Sequence, residues 1–261
     1  MRAKSLIRNS SMSKNYSLKN FGVYIWTSNQ LMHCVPAWAY LFNKFWPYEQ
    51  NVVVLGYDQP NFDMPDNFEY ISLGHQRGPK YWSDDMMDYF KGCAHESFYL
   101  TTEDGFIVEP VNKDILSMAI KTSFINPNNK FLRFNLTCDV QSRSHEVLKD
   151  YETHQLVRAT QNTMYRQSLN HSIWRKDSLL DKLIPNQSPW DFELDNKRAK
   201  FDQLDVYGTR GQYAISCGHG YKKGKKIPDW YKCTHPHITG KQGLTEEDVK
   251  YIEDKGWMPE I

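Results

Sequence analysis

The chain has no long hydrophobic run, almost no net charge and few cysteines, and each shortage closes off a class of protein. No stretch approaches the roughly eighteen consecutive apolar residues of a helical membrane span. Met1 to Asn20 is basic and rich in Ser and Asn, without the apolar core of a secretory signal. Thirty-two basic residues against 31 acidic leave a net charge of +1, so no global field draws the chain to nucleic acid or to an anionic membrane. Any such affinity has to be local. The five cysteines, Cys34, Cys93, Cys138, Cys217 and Cys233, are odd in number and scattered over 261 residues. A chain of that length needs no disulfide staples, so reduced thiols and a cytoplasmic location are expected, the host's cytoplasm if the chain is viral. Gly-x-Gly-x-x-Gly, a Walker-type glycine loop, Gly-x-Ser-x-Gly and His-Glu-x-x-His are all missing, and with them the signatures of dinucleotide binding, ATP binding, serine hydrolysis and zincin chemistry.

What is present is an ordinary globular composition, 40% hydrophobic and 24% charged, with 14% aromatic residues. Residues 1–20 read as a disordered tail. Order begins with Phe21–Gly22–Val23–Tyr24–Ile25–Trp26, a buried strand ending in Thr27 and Ser28. Pro36 opens a helix with Trp38, Leu41, Phe42 and Phe45 on one face, and Asn51–Val52–Val53–Val54–Leu55–Gly56–Tyr57–Asp58 is a second buried strand with a polar tip. Strand, helix and strand with short joints predict a parallel βαβ unit. Phe68–Ser72 adds a strand, Ser83 starts a helix, and Asn112 caps another that carries Ile115, Leu116, Ala119 and Ile120. Ser144 to Val157 reads as polar helix.

Three segments carry chemistry. The run Phe98–Tyr99–Leu100–Thr101–Thr102 ends in Glu103–Asp104–Gly105, which is either a turn or the delivery of two carboxylates to the rim of a sheet. Ser188–Pro189–Trp190–Asp191 starts a helix with Pro at its first position and a Ser-x-x-Asp capping box. That box occupies Asp191 and leaves Glu193 available. From Arg210 to Lys241 the charges are Arg210, Lys222, Lys223, Lys225, Lys226, Lys232 and Lys241 against Asp229 alone, interrupted by glycines, a flexible basic loop suited to meeting phosphates.

The Thr27–Ser28 tip, Leu41–Phe42–Asn43–Lys44–Phe45–Trp46–Pro47, Ser72–Leu73–Gly74, the Glu103–Asp104 tip with Pro110–Val111–Asn112, Ser172–Ile173–Trp174–Arg175–Lys176–Asp177, and Ser188–Pro189–Trp190–Asp191–Phe192–Glu193 together resemble GT-A fold glycosyltransferases. The likeness is to the small nucleotide-sugar-dependent type of bacteria and large phages, over roughly Phe21 to Lys226. It implies an α/β, GT-A-like (Rossmann-like) single domain with a mostly parallel central sheet flanked by helices. Residues 21–141 would form the nucleotide-sugar half, 142–241 the acceptor and catalytic half with the basic loop 210–241, and 242–261 a C-terminal helix and tail. Thr27, Ser28 and Asp58 would line the nucleotide pocket with Trp82 nearby. Glu103 and Asp104 fall where such enzymes carry their metal-binding Asp-x-Asp, for Mn²⁺ or Mg²⁺; Thr102 stands at the place of its first Asp, so a lysine of the late loop is the alternative partner of the leaving diphosphate. Glu193, or else Asp191, falls where inverting members carry the general base.

Such an enzyme moves a sugar from a nucleotide-sugar, a UDP-linked one by preference, to a hydroxyl of a glycan or of a hydroxymethylpyrimidine in phage DNA. A cation on carboxylate oxygens would stabilise the departing diphosphate, and a carboxylate would take the acceptor proton. A plain helix-start acid would account for Glu193 equally well. Two other readings compete. Cys217–Gly218–His219 with Cys233–Thr234–His235 has the residue types of a four-ligand zinc site, which would make the basic loop a nucleic-acid-binding module; alternatively His219 or His235 serves as a further ligand of the catalytic metal. The last reading is a non-catalytic shell that holds a saccharide.

Overall fold

The computed structural model describes residues 20–125, 130–195, 203–233 and 243–260. The expected tail, apart from Asn20, therefore lies outside the described residues, as do His235 and Lys241. In chain order the elements are β1 (Phe21–Trp26), α1 (Val35–Phe45), β2 (Val52–Gly56), β3 (Phe68–Ser72), α2 (Trp82–Gly92), β4 (Ser97–Thr102), β5 (Gly105–Ile107), α3 (Lys113–Ile125) and β6 (Phe131–Asn135). They continue with β7 (His145–Asp150), β8 (His154–Ala159), β9 (Ser172–Arg175), α4 (Lys176–Lys182), α5 (Pro189–Leu194) and β10 (Asp205–Gly211). The small strands β11 (Cys217–His219), β12 (Tyr221–Lys222) and β13 (Lys225–Lys226) precede α6 (Glu246–Asp254).

A nine-stranded sheet in the order β3-β2-β1-β4-β9-β6-β10-β8-β7 forms the centre. The expected parallel βαβ arrangement holds from β3 through β2 and β1 to β4, and again between β6 and β10. β9 runs antiparallel between β4 and β6, and β8 and β7 close the far edge as an antiparallel hairpin. That hairpin corrects the helical reading of residues 144–157. All of β7 after His145 is solvent-exposed and a register shift interrupts its pairing between Val147 and Lys149, so neither face imposes the alternation that betrays a strand.

Period-two alternation sorts the central side chains into two apolar layers. Val23, Ile25, Tyr99 and Ile173 enter the layer covered by α1, α3 and α6. Tyr24, Phe98, Leu100 and Trp174 enter the other, with Met86 and Phe90 of α2, Leu179 of α4 and Phe192 of α5. Local signals set the helix ends. Asn112 Oδ1 accepts from Ile115 N at 3.2 Å, and Thr245 Oγ1 accepts from Asp248 N at 3.2 Å. No helix among the described residues is long and apolar enough to cross a membrane.

Candidate functional site

The strand order reverses between β1 and β4: β1 leads outward to β2 and β3, β4 outward to β9 and β6. In an open α/β sheet the crevice at such a reversal, beyond the carboxyl ends of the strands, is where ligands bind. Here those ends are Thr27–Ser28 and Glu103–Asp104, and they are joined. Thr27 Oγ1 and Ser28 N both donate to Glu103 Oε1, each at 3.3 Å. The Asp-Gly turn that follows does not make a hairpin with β4, because β5 pairs instead with β11. Trp38 Nε1 of α1 donates to Gly105 O at 2.9 Å and fixes the turn from below. Gly105 is tightly fitted, since a Cβ there would stand 3.1 Å from the Nε2 of His171 and that ring would have to give by a few tenths of an ångström. That histidine is fully buried, has a left-handed backbone (φ 28°), and bonds Tyr99 Oη through Nδ1 at 2.6 Å.

The two carboxylates of the tip are placed differently. Glu103 is turned inward at 1% exposure, while Asp104 is part-exposed and its Oδ1 accepts from Thr102 Oγ1 at 2.9 Å. Burial first, then the neighbouring charge of Asp104, pushes the Glu103 carboxyl up to about 8, against the bonds from Ser28 and Thr27. The same two acids, after burial, push the Cys34 thiol up, so that cysteine is no nucleophile. Among the described residues no group of three His, Cys, Asp or Glu could hold a metal ion. With Glu103 neutral and inward, the donor set fits a cation shared between Asp104 and the phosphate oxygens of a ligand, which is how Mg²⁺ is commonly held, and does not form a protein cage.

The Glu103 environment has a measurable consequence. The group is protonated in the fold at neutral pH and ionised in the unfolded chain, so folding takes up a proton. Its contribution to stability is complete below the unfolded value of about 4.3 and is lost as pH rises through about 8. Glu103→Gln keeps an acceptor oxygen for Thr27 and Ser28 and is expected to flatten that decline. Urea midpoints of variant and wild type should converge in mild acid, and in mild alkali the variant should be more stable by on the order of a few kcal/mol. Identical pH profiles would show that Glu103 is ionised in the fold.

Around the tip the rim carries the expected Asp58 together with two groups the sequence reading passed over, Asn29 and Gln76. Asp58, exposed at the end of β2, accepts from Asn29 Nδ2 at 2.7 Å, and its own N–H donates to Asn29 Oδ1 at 3.0 Å. Gln76 Oε1 accepts from Asn29 N at 3.1 Å. No motif announces Asn29 or Gln76, because their role arises only when the loops after β1 and β3 meet.

The described part of the basic segment, which runs to Cys233, contains regular structure where loop was expected. β12 and β13 form a hairpin whose two-residue turn, Lys223–Gly224, has φ of 51° and 74°, the double positive φ of a type I′ turn. Gly220 N donates to Asp104 O at 2.8 Å, so the hairpin springs directly from the acidic tip. Tyr221 at its root bonds His33 Nε2 at 2.9 Å and donates to Pro259 O at 2.7 Å, and a Cβ on Gly224 would lie 3.5 Å from Gln30 Nε2. Lys222, Lys223 and Lys225 are exposed beside the rim, whereas Lys226 is half-buried, 3.5 Å from Glu253.

Trp82 does not line an open pocket. It is 2% exposed and wedged between Trp26 at the end of β1 (ring centroids 6.1 Å) and Phe192 of α5 (5.4 Å). The wedge brings α5 to the same rim. Ser83 N donates to Gln187 O at 3.1 Å and Gln187 N to Ser83 Oγ at 2.9 Å, tying the starts of α2 and α5 together. Both halves of the capping box are present, with Ser188 as the N-cap and Asp191 as its N3 partner, and the bonds from Ser188 hold the Asp191 carboxyl below the usual range. Glu193 does have a structural contact, contrary to expectation: its Oε1 accepts from Leu169 N at 2.7 Å. Burial raises its carboxyl, opposed by that bond, by Ser168 and by the Arg133 charge.

Of the four residues of the zinc reading, His235 lies outside the described residues, and the other three, Cys217, His219 and Cys233, form no group that could hold a metal ion. Cys217 is buried in β11, and Cys233 contacts Tyr213 Oη at 3.5 Å. A cleft of about 930 Å³ opens at the opposite, amino edge of the sheet, bordered by Asn43, Trp46, Asn67 and His95. None of the candidate residues borders it, and its Asn43 and Asn67 carboxamides bond each other.

No protein-family model matches the chain, and no curated protein matches it. Similar solved structures include a cytidylyltransferase from Leptospira borgpetersenii serovar Hardjo-bovis, at 11% identity over 92% of this chain and 96% of that one, with a TM-score of 0.45. Residues 1–349 of S. aureus TarS match at 16% identity over 72% and 59% of the two chains, TM-score 0.42. A CMP:2-keto-3-deoxy-manno-octonic acid synthetase complexed with CTP matches at 11% identity over 74% and 93%, TM-score 0.39. At TM-scores below 0.5 these likenesses carry no functional argument.

Proposed function

We infer that the chain is a nucleotide-utilising transferase that moves a glycosyl group from a nucleotide-sugar to a hydroxyl acceptor. The observation that supports this best is the pairing of Thr27 and Ser28 with Glu103 across the strand-order reversal, which leaves Asp104 facing outward beside a lysine hairpin. In this reading the nucleoside lies over the ends of β1 and β2, between Ser28, Asn29 and Asp58, and the diphosphate lies between Asp104 and the exposed Lys222, Lys223 and Lys225. A divalent cation, Mn²⁺ or Mg²⁺, bound by Asp104 and phosphate oxygens would supply Lewis-acid stabilisation of the leaving group. His219, opposite Gly105 in the β5–β11 pairing, is a nitrogen candidate to assist it. The lysines add point charges to the diphosphate and need no fixed geometry to do so. On the other side of the Trp82 wedge, Glu193 takes the acceptor hydroxyl proton as the hydroxyl attacks the anomeric carbon, which inverts its configuration. The acceptor is a glycan hydroxyl or a hydroxymethylated base.

Thermal unfolding with a panel of nucleoside diphosphates and nucleotide-sugars tests the reading, because a ligand that binds only the fold raises stability by RT ln(1 + [L]/Kd). At least one should raise the midpoint and be slowly hydrolysed without acceptor. A panel with no shift would end the nucleotide reading, and binding without hydrolysis would leave the non-catalytic shell, which the neutral Glu103 also suits. Replacing Lys222, Lys223 and Lys225 together by Ala should weaken the diphosphate ~10-fold and flatten the fall of its affinity with salt, while the free nucleoside binds unchanged. Equal loss for nucleoside and diphosphate would remove the hairpin from the phosphate site.

A further inference from the structure

The three most exposed large apolar side chains among the described residues are Trp190 at 63%, Met164 at 55% and Leu194 at 50%. Two of them lie four apart on α5 and so share one side of that helix. The third belongs to the segment before β9 that is bonded to α5 twice, through Gln167 Nε2 to Phe192 O at 2.8 Å and through Leu169 N to Glu193 at 2.7 Å. An indole left in water forgoes the burial of roughly 150–250 Å² of ring surface. The capping box at Ser188 and the packing of Phe192 hold the helix that presents it, so Trp190 is displayed from a fixed base.

We propose that Trp190, extended by Leu194 and Met164, is the platform on which a neutral saccharide acceptor lays its ring. The proposal rests on the transferase reading. Trp190 and Glu193 are three residues apart on α5, neighbours on the helix surface, so a ring stacked on the indole would lie beside the residue that takes the acceptor proton in that reading. A pyranose suits such a surface because its C–H face is apolar and its rim is polar. The charges described around the platform are mostly acidic: Arg143, whose Nη1 donates to Met164 O at 3.1 Å, is outnumbered by Asp84 at the start of α2 and by Asp191, Glu193 and Asp195. These acids oppose the phosphates of a nucleic-acid strand and leave an uncharged sugar unaffected. Lys197, Arg198 and Lys200 follow in the sequence outside the described residues, which makes a nucleic-acid acceptor the outcome to be tested against.

The experiment is a titration of the full chain, followed at the indole N–H resonance of Trp190, identified by its loss in Trp190→Phe. The probes are methyl β-glucoside, methyl β-galactoside and methyl β-N-acetylglucosaminide, with a short single-stranded DNA in parallel. At least one glycoside should move that resonance without salt dependence, and Trp190→Ala should weaken its binding ~10-fold, with Trp190→Phe retaining most of it. The midpoint shift given by nucleoside diphosphate should be the same in all three proteins. A glycoside that binds Trp190→Ala as well as wild type, or glycosides that leave the resonance still, would overturn the platform. DNA moving the resonance with a steep salt dependence would overturn it in favour of a nucleic-acid acceptor. If no nucleotide shifts the midpoint of any protein, it is the transferase reading that has failed.

Discussion

Asp104→Ala will lower transfer by roughly 10²–10³-fold and leave the fold intact. The side chain is part-exposed at the end of a turn that is held by other groups: Trp38 Nε1 on Gly105 O, Gly220 N on the Asp104 carbonyl, and the Glu103 contacts to Thr27 and Ser28. Only the bond from Thr102 Oγ1 is lost with the carboxylate. The unfolding midpoint should therefore move little, and should rise where Glu103 ionises, since the Asp104 charge is one of the causes that raise the Glu103 carboxyl. Two measurements check this. Turnover of the nucleotide-sugar identified by thermal shift should collapse, and the gain in diphosphate affinity brought by Mn²⁺ should vanish. A variant that keeps most of its turnover would remove Asp104 from the leaving-group side and leave the Lys222–Lys225 hairpin as the group that neutralises the diphosphate.

The first half of the fold was legible because it is buried on both faces. Strands such as Val52–Gly56 read as unbroken apolar runs, and such runs joined by short loops to helices with one apolar face have a parallel arrangement as their natural solution. The acidic tip was legible for the same reason, since Thr102 is where the apolar run stops. What sequence could not supply lies where long-range pairing overrides local pattern. β7 is exposed along nearly its whole length, and the β12–β13 hairpin has strands of two residues each, too short for any periodicity. The hairpin's one local sign was Lys223–Gly224, a turn pair that needs the flanking strands before it can be recognised. Burial was the other blind spot: Trp82 and Glu103 are polar or amphipathic residues at expected rim positions, and only the tertiary packing of Trp26, Phe192 and Thr27 turns both inward.

Glu193→Gln will cut kcat by about 10²–10⁴-fold while nucleotide-sugar affinity stays as it was. Glutamine keeps an oxygen to accept from Leu169 N, so the loop before β9 remains in place, but it can no longer take a proton. Burial raises the Glu193 carboxyl, and a base must be ionised to act; the acid limb of the wild-type kcat/KM profile should therefore fall at a pH above the ordinary carboxylate range. Asp191→Asn separates the two acids of the helix. Its carboxylate accepts from Ser188 N at 3.1 Å and from Ser188 Oγ at 2.7 Å, and the Ser188 bonds hold it below the usual range, so it is committed to the cap. Weakening that cap should lower stability by ~1 kcal/mol and leave kcat nearly unchanged. Steady-state kinetics and urea unfolding of the two variants give four numbers, and the roles predict a crossed pattern: catalysis lost with Glu193, stability lost with Asp191. If the pattern is exchanged, Asp191 is the base and Glu193 only anchors Leu169; if neither variant loses turnover, the acceptor proton leaves by another route and α5 is a binding element alone.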